Sequence, residues 1–388
     1  MSVRRRQWTS PKGERKEAWI VDYADQHGDR HIKTFARKRD ADTYHASVAV
    51  EVRAGIHTAD SRSMTIAEAG ALWIKSSEAA RLERTTVDEY RRHLALHIGP
   101  KLGQVRLAQL TVPMVREFED NLRAARAPAM VRKVLASLGS ILADAQERGL
   151  VAQNVVRSLR ARRRRGKERH ADRRQKGRLK MGVDIPTPDE VRAVIAHLEG
   201  RWRPLLLTAI FTGLRASELR GLRWVDVDLK RHELHVRQRA DRFREIGRPK
   251  SEAGERTIPL LPMVVNALRE WKLVCPGSDL GLVFPNKRGR VETYYKIACA
   301  GWGSAQIAAG VTNAHGAAKY SGLHALRHFY ASWCINRRAD GGLELPLKLV
   351  QARLGHASIQ MTADVYGHLF PRGDDGAEMA AAEKAFLS

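Results

Sequence analysis

The stretch HALRH (324–328), followed after a gap by LGHASIQMTADVYGH (354–368), decides the fold of this chain. In and after the first motif, apolar residues recur at helical spacing, namely Leu326, Phe329, Tyr330 and Trp333. A helix in that register carries His324 and Arg327 three residues apart on one face. The two side chains can therefore reach one site.

Two motifs upstream add further reactive side chains. TGLRASELRGLRW (212–224) places Arg215 just after an apolar helix and three residues before Glu218. PKSEAGERTIPL (249–260) places Lys250 in a turn that joins two predicted strands. Each residue alone has an ordinary structural explanation, such as a surface ion pair, a turn or a core position. The order of the motifs is more informative, because each occurs once.

Taken together, these motifs resemble the tyrosine recombinases, specifically the integrases of phages and integrative elements. The resemblance covers the whole second half of the chain and, more loosely, the residues before it. It implies site-specific recombination of DNA through a 3′-phosphotyrosine intermediate and a Holliday junction, with integration or excision of a mobile element. The catalytic residues that it implies are Arg215, Lys250, His324, Arg327, His356 and the nucleophile Tyr366, with Glu218 supporting them.

The resemblance also implies a role for each side chain. The two arginines and His356 would stabilise the negative charge of the pentacoordinate phosphorus, and Lys250 would protonate the departing 5′-hydroxyl group. His324 would either accept the proton of Tyr366 or bind the phosphate. His328 and His368 are interpreted as structural. Ala325 stands where relatives commonly carry Asp, which changes one local hydrogen bond.

The charge of the chain indicates a polyanionic partner. There are 68 basic and 43 acidic side chains, so the formal net charge is +25, and the isoelectric point is near 10.5. Arginine and lysine neutralise phosphates and release condensed counterions, so DNA or RNA is favoured over an anionic membrane surface. No apolar run reaches the roughly 18 residues of a membrane span, and MSVRRRQW does not resemble a signal peptide. We expect the protein to work in the cytoplasm.

Neither a metal nor a nucleotide cofactor is expected. The three cysteines, Cys275, Cys299 and Cys334, are widely spaced, and no pair has the spacing of zinc ligands. The sequence also lacks a GxxxxGK[ST] loop and a strand-bound GxGxxG motif. We interpret the cysteines as buried thiols.

The fold class that we expect is mainly α and multidomain. Residues 1–58 show three short strands and a helix, with turns near Pro11 and His27. This unit resembles the arm-type DNA-binding domain of integrases, in which the sheet enters the major groove. The alternative is a basic unit that only packs on the next domain.

Residues 64–157 show helical patterns alone, and Thr111 with Pro113 marks one helix start. By resemblance this is the core-binding domain, which closes on DNA opposite the catalytic domain as a C-shaped clamp. Four basic side chains are candidates for phosphate contacts, unless they are simply solvated: Arg91, Arg92, Arg132 and Lys133.

The segment 158–185 is predicted to be a basic linker. It contains RARRRRGKERHADRRQKGRLK, which has too few apolar residues to offset its ordering entropy. We favour a tether along the phosphate backbone, although a nuclear-localisation patch has the same composition. Residues 186–388 then form a mixed α+β catalytic domain with a small antiparallel sheet. It starts at a capping box on Thr187, and a tail helix spans 378–387.

The resemblance implies double-stranded DNA as the partner, with core and arm attachment sites, and a homotetramer on that DNA. It leaves open an excisionase and a DNA-bending host factor. Two other functions remain open at this point. One is a DNA-binding repressor or architectural protein without catalysis, and the other is a plasmid or chromosome dimer resolvase of the same superfamily. The N-terminal unit makes the resolvase less favoured. In the family, the tail helix packs on a neighbouring subunit.

Overall fold

The computed structural model describes residues 1–9, 15–26, 28–55, 57, 59, 63–163, 178–370 and 375–387. The chain divides into two compact units, 1–175 and 176–388, and each is described by itself. Helices dominate, and the sheets are small and antiparallel, so the expected fold class is confirmed. Within the described residues, no helix is both long and apolar enough to cross a membrane.

The first unit begins with a three-stranded antiparallel sheet and a helix, as expected. The strands are β1 (Ser2–Thr9), β2 (Arg15–Ala24) and β3 (Arg30–Phe35), in the order β1-β2-β3, and α1 spans Lys38–Arg53. Val21 and Tyr23 of β2 pack with Ala41 and Val48 of α1. The turn predicted near Pro11 and the residue His27 lie outside the described residues.

The rest of the first unit is helical. Its helices are α2 (Ile66–Ala79), α3 (Arg84–His93), α4 (Gly99–Leu102), α5 (Val112–Ala125), α6 (Pro128–Glu147) and α7 (Val155–Arg163). The helix start predicted at Thr111 is confirmed, because its side chain accepts a hydrogen bond from the Met114 backbone nitrogen. Two of the basic side chains considered for phosphate contacts pair with carboxylates, Arg91 with Glu78 and Lys133 with Glu89.

The predicted linker 158–185 is too long at both ends. Helix α7 continues to Arg163, and Ile185 is fully buried in the core of the second unit. Residues 178–185 fold back on themselves, since the Asp184 and Ile185 backbone nitrogens both donate to the Lys180 carbonyl oxygen. Composition alone missed the few apolar residues that anchor each end, and residues 164–177 lie outside the described residues.

The second unit is built from helices around two small sheets. The strands are β4 (Val227–Asp228), β5 (Glu233–Val236), β6 (Arg239–Ala240), β7 (Ile246–Gly247) and β8 (Arg256–Pro259). The helices are α8 (Pro188–Ala196), α9 (Trp202–Thr212), α10 (Ala216–Gly221), α11 (Pro262–Val274), α12 (Tyr294–Lys296), α13 (Ser304–Ala308), α14 (His324–Ile335), α15 (Leu347–Leu354), α16 (Ile359–Tyr366) and α17 (Asp375–Leu387). The capping box predicted at Thr187 is present, with Glu190 as its acidic partner.

The predicted antiparallel sheet is confirmed, with one addition. Strand β5 pairs with β4 and β8, and Leu234 lies opposite Ile258. A second hairpin, β6–β7, is inserted between β5 and β8. Strands of two residues show no alternation that a sequence could reveal. As a result, Lys250 follows β7 and does not lie in a simple turn between paired strands.

Helix α9 lies in the core of the second unit and ends against α14. Leu205, Leu206 and Leu207 are at most 1% exposed, and the helix ends at Gly213, whose φ of 60° is left-handed. A Cβ atom on Gly213 would lie 2.4 Å from Cδ1 of Tyr330 in α14. Glycine is therefore required here by both its backbone angle and the close approach of α14.

The expectation that all three cysteines are buried is wrong for two of them. Only Cys334 of the three cysteines is buried, whereas Cys275 is half-buried and Cys299 is exposed. Cys299 is exposed because it lies on the outer side of the widened helical turn Ile297–Gly303.

The expected tail helix begins three residues earlier than predicted, at Asp375. Its residue Phe386 is 88% exposed.

Core packing in the first unit generates a stability prediction. Leu138→Ala removes a fully buried side chain of α6, and it should lower the free energy of unfolding by about 2–5 kcal/mol because a cavity remains. Leu96→Ala is the matched control, since Leu96 is 60% exposed, and it should change that free energy by less than about 1 kcal/mol. Urea unfolding of both variants measures the difference, and equal losses would contradict this core assignment.

Candidate active site

Arg327 is a charged side chain at the centre of the second unit. It is 2% exposed, and its guanidinium donates to the carbonyl oxygens of Gly213, at 2.7 Å, and Leu354. These carbonyls lie at the C-terminal ends of α9 and α15, where the helix dipoles are negative. Burial and the nearby charge of Arg215 lower the pKa of Arg327 to about 10, so it remains charged at neutral pH.

Arg215 is held by a buried carboxylate. It precedes α10, its Nη1 atom donates to Glu218 Oε1 at 2.7 Å, and its Nη2 atom donates to the Gly355 carbonyl at 3.1 Å. Glu218 is 3% exposed and also accepts from Arg256, with Nη2 and Oε2 2.8 Å apart. Burial opposes ionisation of Glu218, but Arg256 and Arg215 outweigh it and lower its pKa. Glu218 therefore orients two arginines, which extends the expected supporting role.

Arg256 connects the Lys250 segment to the site, and sequence reasoning missed it. Its Nε atom donates to the Arg353 carbonyl at 2.7 Å, and its Nη1 atom donates to the Gly254 carbonyl at 2.9 Å. A Cβ atom on Gly355 would lie 2.8 Å from the Ala253 carbonyl oxygen, so the segment packs closely against the turn before His356. Lys250 lies on this segment with its side chain exposed.

His356 is a buried and neutral histidine. It is 7% exposed, and its Nδ1 atom lies 2.9 Å from the hydroxyl oxygen of Thr362. Burial, followed by the charges of Arg327 and Arg215, lowers the pKa of His356 to about 4. Because Nδ1 is engaged by Thr362, Nε2 is the ring nitrogen that can meet a ligand.

Tyr366 ends α16 with its ring enclosed. It is 1% exposed, its ring lies parallel to that of His356, and the ring centroids are 6.3 Å apart. Its hydroxyl oxygen lies 2.8 Å from Nδ1 of His328, a residue that was expected to be structural only. Burial raises the pKa of Tyr366 to about 12, although Arg327 and Arg215 act in the opposite direction.

His324 lies beside this pair and is more accessible. Its side chain is exposed, and its ring meets that of His328 edge-on with centroids 4.5 Å apart. Partial desolvation, with the charges of Arg327 and Arg215, lowers the pKa of His324. Among the described residues, the Tyr366 hydroxyl forms its hydrogen bond with His328, one helical turn from His324, the expected proton acceptor.

The structure thus brings five of the six predicted residues into one cluster: Arg215, His324, Arg327, His356 and Tyr366. Lys250 is on an exposed segment that is anchored to the cluster through Arg256. Three arginines, including Arg256, face one carboxylate, so three positive charges and one negative charge leave a net charge of two. A site of this kind suits an anion with several oxygen acceptors, such as a phosphodiester. Among the described residues, no group of acidic, histidine and cysteine side chains could hold a metal ion.

The HALRH motif carried a signal for His328 that sequence reasoning did not use. His328 follows His324 by four residues and therefore shares its helix face. Arg256 had a weaker signal, because an arginine within a strand is ordinary. Its inward direction becomes visible only once β8 is paired with β5.

Comparisons with known proteins give matches in sequence and in fold. The sequence matches the Phage integrase family over residues 186–372. A tyrosine recombinase XerC-like protein of Caldanaerobacter subterraneus is 30% identical over 227 residues, which are 50% of this chain and 53% of that relative. The tyrosine recombinase XerC of Xanthomonas campestris is 30% identical over 288 residues, 73% of this chain and 78% of that relative. The chain spans about half the length of the first relative.

A solved structure shares the fold. A lambda integrase tetramer bound to a Holliday junction gives a TM-score of 0.56 at 16% identity. The alignment covers 91% of this chain and 95% of that protein. At this identity the likeness concerns the fold alone.

The buried carboxylate generates a prediction about pH. Glu218→Gln leaves Arg215 and Arg256 without their anion, so it should lower the free energy of unfolding at neutral pH by about 3–5 kcal/mol. The folded-state pKa of Glu218 is lowered, so its stabilisation is fully present above pH 4.5 and is lost as the pH falls through the folded value. The wild type and the variant should therefore converge below pH 4.5.

Urea unfolding over this pH range measures the effect. Glu199→Gln is the control, because Glu199 is exposed, and it should change the free energy of unfolding by less than about 0.5 kcal/mol. A gap between wild type and Glu218→Gln that stays constant down to strongly acidic pH would show that the carboxylate charge is not what stabilises this cluster.

Proposed function

The chain belongs to the tyrosine recombinase family, and on that premise we propose that it is a site-specific DNA recombinase. It would cleave and rejoin DNA strands through a 3′-phosphotyrosine intermediate and integrate or excise a mobile element. The observation that carries this proposal is the buried phenol of Tyr366, whose hydroxyl oxygen lies 2.8 Å from Nδ1 of His328 and whose ring lies parallel to that of His356. The charges of Arg327 and Arg215 also favour ionisation of this phenol, which a tyrosine that merely packed in a core would not need.

A covalent link to tyrosine suits strand exchange. Breaking a phosphodiester by water would lose the bond energy, whereas transfer to Tyr366 retains it for the resealing step. Attack gives a pentacoordinate phosphorus whose non-bridging oxygens carry additional negative charge. Arg215 and Arg327 are charged at neutral pH and offer paired hydrogen-bond donors. They would therefore stabilise the transition state, with its additional charge, more than they stabilise the ground state.

The contacts and exposure of these side chains support the roles proposed for the histidine and the lysine. His356 is neutral, and when Thr362 donates to Nδ1, the proton on Nε2 can be donated to a phosphate oxygen. Lys250 would protonate the departing 5′-hydroxyl group. Its exposed position on a segment tied down by Arg256 supports this role, because the segment can meet DNA while its base stays fixed.

The N-terminal sheet supports a second DNA contact, the arm site. Side chains alternate along a strand, so Arg4, Arg6 and Trp8 share one face of β1, opposite the face on which Val3 packs. The exposed fraction of Trp8 is 40%. A basic face with an accessible aromatic ring suits a DNA groove. This unit also favours a mobile-element integrase over a dimer resolvase, which has no need of arm sites.

We further propose a tetramer on DNA that works in the cytoplasm. The lambda integrase whose fold this chain shares forms a tetramer on a Holliday junction. Residues 64–157 and 186–388 would bind the core site, and an excisionase or a DNA-bending host factor would set direction. The exposed apolar residues of α17, Met379 and Phe386, are suited to contact a neighbouring subunit.

Covalent trapping tests the chemistry. On a core site with a nick beside the cleavage position, the wild type should accumulate a covalent protein–DNA adduct, and Tyr366→Phe should form none. Arg215→Ala should slow adduct formation by about a hundredfold or more, because one preorganised donor is worth about 3–4 kcal/mol. Tyr295→Phe is the control, since Tyr295 is 74% exposed, and it should keep the wild-type rate. An adduct with Tyr366→Phe would refute this nucleophile.

Truncation after Arg372 tests the tail. The shortened protein should bind its core site with unchanged affinity, yet lose ordered recombination because neighbouring subunits are no longer coupled. Gel mobility shift and a two-site recombination assay measure the two properties. Unchanged recombination by the truncated protein would refute the proposed role of α17.

A further inference from the structure

His328 makes a contact that the expected set of catalytic residues leaves unused. Its Nδ1 atom lies 2.8 Å from the hydroxyl oxygen of Tyr366, and the two rings are 5.7 Å apart. His328 lies on α14 one residue after Arg327, and Tyr366 is the last residue of α16. Two separate helices therefore fix this contact, and it involves the atom proposed to attack phosphorus.

We propose that His328 accepts a hydrogen bond from the Tyr366 hydroxyl and takes up its proton as the phosphotyrosine bond forms. This inference rests on the proposed function and names the proton acceptor of the same site. In balanced form, the O–H bond of Tyr366 breaks as its oxygen bonds to phosphorus, and the proton moves to Nδ1 of His328. The bond from phosphorus to the 5′-oxygen then breaks, and that oxygen takes a proton from Lys250.

The surroundings of His328 keep its ring neutral, so that it can accept a hydrogen bond. Burial is the main cause that lowers its pKa to about 4, followed by the neighbouring His324 and Arg327, while Asp184 acts in the opposite direction. The ring is therefore neutral at neutral pH. A neutral ring with its hydrogen on Nε2 presents a lone pair on Nδ1, which is the geometry that receives an O–H donor.

A cavity next to His328 offers the proton a way out. It has a volume of about 430 Å³, and its lining includes His328, His324, Asp184 and Lys319. Val183 and Tyr294 at its rim are 65% and 44% exposed, so water can enter. Nδ1 of His328 faces the Tyr366 hydroxyl and would receive its proton. The ring could then return to its neutral form by releasing the Nε2 proton to water in this cavity.

His324 is less well placed for this step. Its side chain is exposed, and among the described residues it makes no hydrogen bond to Tyr366. Its ring instead meets His328 edge-on, and both histidines line the cavity. In this arrangement His324 is a neighbour that tunes His328 and is free to meet the phosphate.

Replacing the leaving oxygen by sulfur separates this role from that of the general acid. A thiolate departs without a proton, so a core site with sulfur at the 5′-bridging position should restore cleavage by Lys250→Ala. His328→Asn keeps a hydrogen-bonding group near the Nδ1 position but cannot take a proton. It should cleave about a hundredfold or more slowly on both the oxygen and the sulfur substrate.

Chemical rescue distinguishes proton transfer from packing. In single-turnover cleavage, His328→Ala should regain rate when imidazole is added, whereas Tyr366→Phe should not. His197→Asn is the control, because His197 is exposed just after the end of α8 and is far along the chain from the motif, and it should cleave at the wild-type rate. Cleavage by His328→Asn within about threefold of the wild type, or its recovery on the sulfur substrate, would overturn the proposal.

A readout without DNA keeps this inference separate from the proposed function. With tyrosine labelled at Cζ with ¹³C, the Tyr366 signal is assigned by its absence in Tyr366→Phe. That signal should shift in His328→Asn and stay unchanged in His197→Asn. If the signal shifts in His328→Asn but the wild type forms no covalent adduct on DNA, only the recombinase function is refuted. An unchanged signal in His328→Asn would refute the contact, whatever the activity.

Discussion

The burial of the Arg327 charge is the constraint on which the second unit depends. A guanidinium taken out of water costs several kcal/mol unless partners replace the lost hydration. Here the partners are carbonyl oxygens at the C-terminal ends of α9 and α15, and both helices finish at a left-handed glycine, Gly213 or Gly355. The two helix ends must converge for the charge to be tolerated, so the position of the arginine and the packing of the helices determine each other.

A site built in this way is not at its electrostatic optimum without a ligand. Arg215, Arg256 and Arg327 surround one buried carboxylate, and burial, followed by repulsion from the other two arginines, lowers the pKa of Arg327. Burial, followed by the same charges, lowers the pKa of His356. Stability alone would favour a second carboxylate in this place. The excess positive charge is understandable if the missing anion is a substrate phosphate, since local conflicts of this kind concentrate at functional sites.

Sequence reasoning reached the parts of this structure that depend on local pattern. Helical spacing after His324, the capping box at Thr187 and the small antiparallel sheet each correspond to an observed element. The parts it missed depend on pairing between distant segments. The contact of His328 with Tyr366 needs α14 and α16 side by side, and the inward direction of Arg256 needs β8 in register with β5. The short hairpin β6–β7 carries no periodicity at all.

In the proposed reaction, ionisation of Tyr366 would have to wait for DNA. Its pKa is about 12 and that of His328 is about 4, a difference of about eight pH units. Moving the proton before attack is therefore strongly unfavourable. A phosphodiester between the arginines would change the balance, because its negative charge would offset the field of Arg327 at His328 and strengthen the base. The charge leaving the phenol oxygen would then pass to phosphorane oxygens held by the arginines, so proton loss and attack would be favourable only together.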